Sequence, residues 1–179
     1  YIYMYNCYYT ECCIPVNNCN PCNGIFSPYF LTNLTTSESI STGGTSIPSG
    51  STTIPSGTIK LLTGYSNAPI FQSGNINLSG GYFYINKTGD CYVDGTINLG
   101  PQATGSFTFY LYKMNGNNNV IELIAANTTN FSSTNNTFSS LSSYVKIISG
   151  DRIFFGITQN TGNVIQTNIV DTRFSIKLI

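Results

Sequence analysis

Five cysteines crowd the first 22 residues: Cys7, Cys12, Cys13, Cys19 and Cys22. A sixth, Cys91, stands alone far downstream. Thiols at these spacings can do three kinds of chemistry. Cys19-Asn20-Pro21-Cys22 has the gap of a zinc-knuckle ligand pair. A second pair would come from Cys7, Cys12 or Cys13, and the adjacency of Cys12 and Cys13 is awkward for tetrahedral ligation. The same gap serves thioredoxin-like redox pairs, but those need a strand-to-helix context that Asn20-Pro21 does not offer. The third chemistry is disulfide formation in an oxidising place. Neighbouring cysteines seldom pair with each other, so Cys12 and Cys13 must each reach elsewhere. Disulfides are the favoured reading, with bridges within the arm and bridges between subunits both open. Cys91 is then a buried free thiol or the receiving partner of a cross-link.

Other reactive constellations are missing. The chain has no histidine, which removes the commonest general base and metal ligand. Its seven carboxylates are scattered. Asp90 and Asp94 are the closest pair, and four residues along a strand sets them roughly 13 Å apart, too far for a dyad. Asp90, Asp94 and Asp151 are also too dispersed for a calcium site. The expectation is a non-enzymatic protein with no cofactor and no metal.

Seven basic and seven acidic residues cancel, and only 8% of residues are charged. Nucleic acid needs a dense basic surface, so it is not an expected partner. No apolar run reaches the ~20 residues of a membrane span. The surface must instead be Asn, Thr, Ser and Gly. Such neutral surfaces repel one another poorly and tend to associate, which points to copies of the same chain as the partner.

The elements that carry these residues fall into three parts. Residues 1–30 form an arm rich in Tyr, Cys, Asn and Pro. Residues 31–57 are a Ser/Thr/Gly spacer containing Ser46-Ile47-Pro48-Ser49-Gly50 and Thr53-Ile54-Pro55-Ser56-Gly57. Residues 58–179 read as strand after strand. No window holds the 3.6-residue apolar period of a helix. In Cys91–Leu99, the residues Cys91, Val93, Ile97 and Leu99 fall on one face, and Tyr92, Asp94, Thr96 and Asn98 on the other. Phe107–Leu111 alternates likewise. So do Asp151–Gln159, with Ile153, Phe155 and Ile157 inward, and Thr172–Ile179, with Phe174, Ile176 and Leu178 inward. A period of two marks half-buried antiparallel strands. Turn residues such as Ser79-Gly80-Gly81 and Ser149-Gly150-Asp151 divide them. Many short strands at this spacing predict an all-β antiparallel sandwich or jelly roll.

The order of phrases sharpens that expectation. Tyr82–Gly95, Phe107–Lys113, Leu141–Ile153 with its Gly150-Asp151 turn, and the closing Thr172–Ile179 together resemble the tumour-necrosis-factor/complement-head jelly roll. The resemblance implies a sandwich of about ten strands that forms tight trimers around an aromatic and aliphatic axis. No Gly-X-Y tract is present to make a collagen stalk, so attention moves to the arm.

In the arm, Tyr1, Tyr3 and Tyr5 alternate with Ile2 and Met4, followed by Tyr8 and Tyr9. Such a strand can add to the sheet edge of another subunit. Cysteine-bearing N-terminal connectors of this kind are characteristic of bacterial endospore appendage subunits, which this chain resembles. That resemblance implies an extracellular fibre subunit on a spore or cell surface. Homotrimers would stack head to tail, Tyr1 to Tyr9 docking and Cys7, Cys12, Cys13, Cys19, Cys22 and Cys91 cross-linking, with the spacer as a hinge. The alternatives are a viral capsid or head-fibre jelly roll, and a trimeric receptor- or glycan-binding head that engages surface glycans through Tyr110, Tyr112 and Tyr144. The sequons at Asn33, Asn77, Asn86, Asn127, Asn130 and Asn135 add only a weak case for glycosylation.

Overall fold

The computed structural model describes residues 29–33, 39–40, 59–63, 71–72, 74–117 and 121–179. The arm before Tyr29, with its five cysteines and Tyr1 to Tyr9, lies outside the described residues, as does most of the spacer. Among the described residues every regular element is a strand. They are β1 (Tyr29–Asn33), β2 (Ser39–Ile40), β3 (Lys60–Leu61), β4 (Phe71–Gln72), β5 (Ile76–Ser79), β6 (Tyr82–Ile85), β7 (Gly89–Leu99), β8 (Ser106–Met114), β9 (Ile121–Asn130), β10 (Thr137–Ile147), β11 (Arg152–Gln159) and β12 (Ile165–Leu178).

Two sheets form, each with five strands in its main run. Sheet 1 runs β10-β7-β12-β1-β4, and sheet 2 runs β5-β6-β11-β8-β9. The two-residue strands β2 and β3 attach beside these runs, to β12 and β11. All pairings are antiparallel. First and last long strands lie side by side, since β1 pairs with β12 from Tyr29↔Lys177 to Asn33↔Arg173. This is the expected jelly-roll sandwich. Sheet 1 also takes in Tyr29–Asn33, well ahead of Thr58.

Alternation explains the core. Cys91, Val93, Ile97 and Leu99 of β7 meet Phe107, Phe109 and Leu111 of β8, Ile153, Phe155 and Ile157 of β11, and Phe174, Ile176 and Leu178 of β12 in one buried cluster. Phe155 is its hub. The ring lies 4.6 Å from Phe174, 5.5 Å from Phe109 and 6.1 Å from Phe83, centroid to centroid. Offset and edge-on aromatic contacts add about 0.5–1.5 kcal/mol per pair beyond burial. Gly95 of β7 makes room for this hub: a Cβ there would lie 2.6 Å from Phe155 Cε1.

Two residues depart from simple alternation. Asn98, expected on the exposed face of β7, is 1% exposed. The cause is an irregularity in β12. Its register steps from Asn168↔Asn98 to Arg173↔Thr96, so five residues advance where β7 advances two. Buried Thr172 repairs the ladder: its hydroxyl accepts from Asn98 N at 3.0 Å and donates to Asn168 O at 2.6 Å. Asp171, just before it, adopts φ 61°, a left-handed conformation that Asp tolerates better than most residues.

Tyr112 is the second departure. It points to the outer face of sheet 2 yet is fully buried, as is Phe154 beside it. With Ile59, Met114 and Ile121 they make a second apolar cluster, flanked by Leu61, Tyr82, Tyr110 and Leu123. Residues 59–63 continue the line of β6 along β11: Leu61 pairs with Gly156 and Leu62 N donates to Phe155 O. That course brings Ile59 onto Gly156, where a Cβ would meet Ile59 Cγ2 at 2.5 Å. Period-two reading assigns Tyr112 to solvent because it sees one core, and this domain has two.

Candidate subunit interface

No described residue covers the outer face of sheet 1 around Tyr144. Register places Tyr144 of β10 opposite Tyr92 of β7, and Tyr92 opposite Lys177 of β12. The next row sets Lys146 opposite Asp90, whose carbonyl accepts from Ile179 N at 2.8 Å. Ile148 follows β10 on the same side. The Tyr92 and Tyr144 rings sit 5.1 Å apart at 56°. Tyr144, Ile148 and Ile179 are 72%, 56% and 66% exposed. They are three of the five exposed large apolar side chains among the described residues; Phe138 and Val164 belong to the far end of the sandwich.

Beyond this cluster the face carries small side chains. Ser142, Asp94 and Ser175 form one row, and Ser140, Thr96 and Arg173 the next. Thr96 and Ser140 hydroxyls are hydrogen-bonded at 2.9 Å. The face thus has an aromatic and aliphatic end, a low hydroxyl-rich middle, and both signs of charge in Asp90, Asp94, Lys146, Arg173 and Lys177. Monomeric surfaces seldom gather large apolar side chains so closely, and an apolar patch rimmed by polar groups marks an interaction site.

The other reactive residues are structural. Cys91, adjacent to Tyr92 but on the inner face, is a free thiol with no exposure. Burial, with help from the charge of Asp90, pushes its pKa up to about 12. Asp151 is also buried. Its carboxylate accepts from Gly116 N at 3.1 Å and Ile148 N at 3.0 Å, tying the β10–β11 turn to the β8–β9 connection. Gly150, at φ 99°, supplies the backbone turn before it. The Gly-Asp phrase is therefore a turn lock. Lys113 and Glu122 pair at 2.8 Å across β8 and β9. Asp90 and Asp94 share the outer face of β7, Asp90 opposite Lys146 and Asp94 between Ser142 and Ser175. Among the described residues no group of three His, Cys, Asp or Glu side chains could hold a metal, and no helix is long and apolar enough to cross a membrane.

Of the aromatics named from sequence, Tyr144 lies on the open face. Tyr110 is half-buried with its hydroxyl 3.4 Å from Thr158 Oγ1, and Tyr112 is enclosed. Burial raises the Tyr112 phenol pKa, and the neighbouring Tyr110 raises it further. Asn77, Asn86, Asn127, Asn130 and Asn135 are all exposed, although the Asn127 amide is already engaged with Ser140 O at 3.0 Å. Sequence reading placed Tyr92 on the outer face but did not join it to Tyr144, because that contact depends on the β7–β10 register.

The sandwich can now be compared with known proteins. It superposes on murine APRIL (crystal form at pH 5.0) with a TM-score of 0.62 at 10% identity, covering 86% of this chain and 99% of that one. It superposes on Eiger TNF from S. frugiperda with a TM-score of 0.57 at 10% identity, covering 86% and 92%. The fold is the tumour-necrosis-factor jelly roll. No family model matches the sequence. The uncharacterized protein L688 of Acanthamoeba polyphaga mimivirus is 39% identical over 146 residues, 79% of this chain. This chain spans 61% of that relative's length.

Proposed function

We propose that this chain is a non-enzymatic, self-associating jelly-roll head, a cyclic trimer that presents its remaining surface to a receptor or glycan. The observation that carries the reading is the group of exposed Tyr144, Ile148 and Ile179 with half-buried Tyr92 on sheet 1. Tyr is enriched at interface centres, and here the tyrosines and isoleucines alternate with Lys146, Asp90 and Lys177, whose opposite charges can pair across a contact. The hydroxyl-rich rows beside it are low enough to let a neighbour's sandwich lie close. The fold comparison supports the same reading, since the binding-head alternative matches it better than the fibre does.

The test is the solution mass of the chain in reductant, by size exclusion with light scattering. Three times the chain mass is expected. Tyr144→Asp sets a desolvated charge at the centre of the contact and should raise the dissociation constant at least thirtyfold, the equivalent of about 2 kcal/mol for an interface hot spot. A stable monomer for the unmodified chain would refute the trimer.

That the relative is a mimivirus protein supports a viral setting for this head over a spore or cell surface. Labelled antibody bound to intact particles, or its absence from them, would decide between those settings.

A further inference from the structure

The connection that follows β8 holds a nucleophile and an electrophile side by side. Asn115 precedes Gly116, and a backbone nitrogen can attack the side-chain carbonyl of the Asn before it. The ring that closes contains Gly116 N and the Asn115 carbonyl carbon, Cα, Cβ and Cγ. Glycine leaves that nitrogen unhindered, since it carries no Cβ. The fold requires glycine here as well, because a Cβ would lie 2.3 Å from Gly150 O.

The surroundings meet the needs of that attack. Gly116 N donates to the Asp151 carboxylate at 3.1 Å, and a general base works from within hydrogen-bond reach of the proton it takes. Asp151 is held in place: it is buried, and its second oxygen accepts from Ile148 N at 3.0 Å. On the electrophile, Asn115 Oδ1 accepts from Asn117 N at 2.8 Å. That bond folds the side chain back along the Gly116 peptide. It also aims a backbone donor at the oxygen that becomes negative when Cγ is attacked, which is how an oxyanion hole acts.

We propose that Asn115 is a self-modifying residue, converted to aspartate and isoaspartate by attack of Gly116 N on its Cγ with Asp151 as the base. The Gly116 N–H proton passes to the Asp151 carboxylate as the N–Cγ bond forms, and Oδ1 takes the negative charge. Collapse of this intermediate breaks the Cγ–Nδ2 bond, and the proton returned by Asp151 lets the nitrogen leave as ammonia. Water then opens the cyclic imide at either carbonyl. One Asn and one water give one acidic residue and one ammonia, and nothing is oxidised or reduced. The product sets a new carboxylate one residue from the Gly116–Asp151 bond, and isoaspartate also lengthens the backbone there by one carbon. The lock between the β8–β9 connection and the β10–β11 turn therefore weakens as the molecule ages.

The experiment incubates the chain 1–179 at neutral pH, folded and in guanidinium chloride, and follows Asn115 by tandem mass spectrometry of its peptide. A gain of one mass unit at residue 115 is expected to appear at least about tenfold faster in the folded chain, a modest share of the 100-fold or more that a positioned base gives. A smaller ratio, or a slower reaction in the fold, would overturn the proposal. Asp151→Asn keeps a carbonyl for Gly116 N but cannot take its proton, so it should lose the acceleration; an unchanged rate in a variant whose circular dichroism is still that of the sandwich would refute the base. Should that variant not fold, the unmodified chain decides. Across two pH units around neutrality its rate should change by less than about threefold, whereas a reaction driven by hydroxide rises about a hundredfold and would sink the idea.

Discussion

The two outer faces of this sandwich are built from similar residues but differ in what covers them. Each carries tyrosines in cross-strand contact. On sheet 2, Tyr112 stacks on Phe154 at 5.1 Å under the cover of Ile59. On sheet 1, Tyr92 and Tyr144 are equally close, but nothing in the described chain lies over them. One face has been closed by the chain's own residues 59–63, and the other is uncovered by any described residue. Aromatic content therefore does not distinguish core from exposed surface here. What distinguishes them is whether a neighbouring segment of the same chain crosses the face.

The contrast predicts separable losses. Phe154→Ala, on the closed face, should lower folding stability by about 3–5 kcal/mol, read by urea denaturation. Tyr144→Asp, on the open face, should leave the fold intact and disperse the assembly. If Phe154→Ala disperses the assembly without a stability loss, the assignment of the two faces is reversed.

Alkaline titration sharpens the same comparison from inside. The buried Cys91 thiol stays neutral up to about pH 12 in the fold, against 9.0 for an ordinary thiol. Unfolded chains ionise first, so this group leaves stability unchanged below pH 9 and lowers it progressively from there to about pH 12. Tyr112 acts in the same direction, its phenol also being raised by burial. Cys91→Ala should flatten the decline of the melting temperature over that range.

The smallest effect belongs to Tyr112→Phe. The Tyr112 hydroxyl is buried with no hydrogen-bond partner. An unsatisfied buried polar atom costs roughly 1–3 kcal/mol, so its removal should be neutral or stabilising by about 1 kcal/mol. A loss larger than that would mean the hydroxyl has a role in covering the closed face.

The sandwich was legible in the sequence because period two is a local property. Phe107, Phe109 and Phe174 declare their side without knowledge of any partner strand. The Gly150-Asp151 phrase likewise marked its turn, although the carboxylate's reach to Gly116 was invisible from spacing. The interface was only half legible. Tyr144 could be named as a surface aromatic, but its neighbour Tyr92 lies 52 residues away in the numbering and meets it only through register. The enclosure of Tyr112 was illegible for a related reason: the covering Ile59 belongs to a segment whose path no periodicity dictates. Asn98 was misplaced because the β12 irregularity leaves no signal in β7.

That irregularity also makes β12 modular. The strand leaves the ladder at Asn168 and rejoins it at Arg173, and Thr172 fastens the rejoining end with two hydrogen bonds. No described pairing joins residues 169–171 to β7, so the register of the final strand does not fix their number. Each doubling of a loop adds only about 0.6 kcal/mol of closure entropy. Residues 169–171 are thus a splice point at which a foreign peptide can be displayed from the last strand of the domain, provided Thr172 is kept.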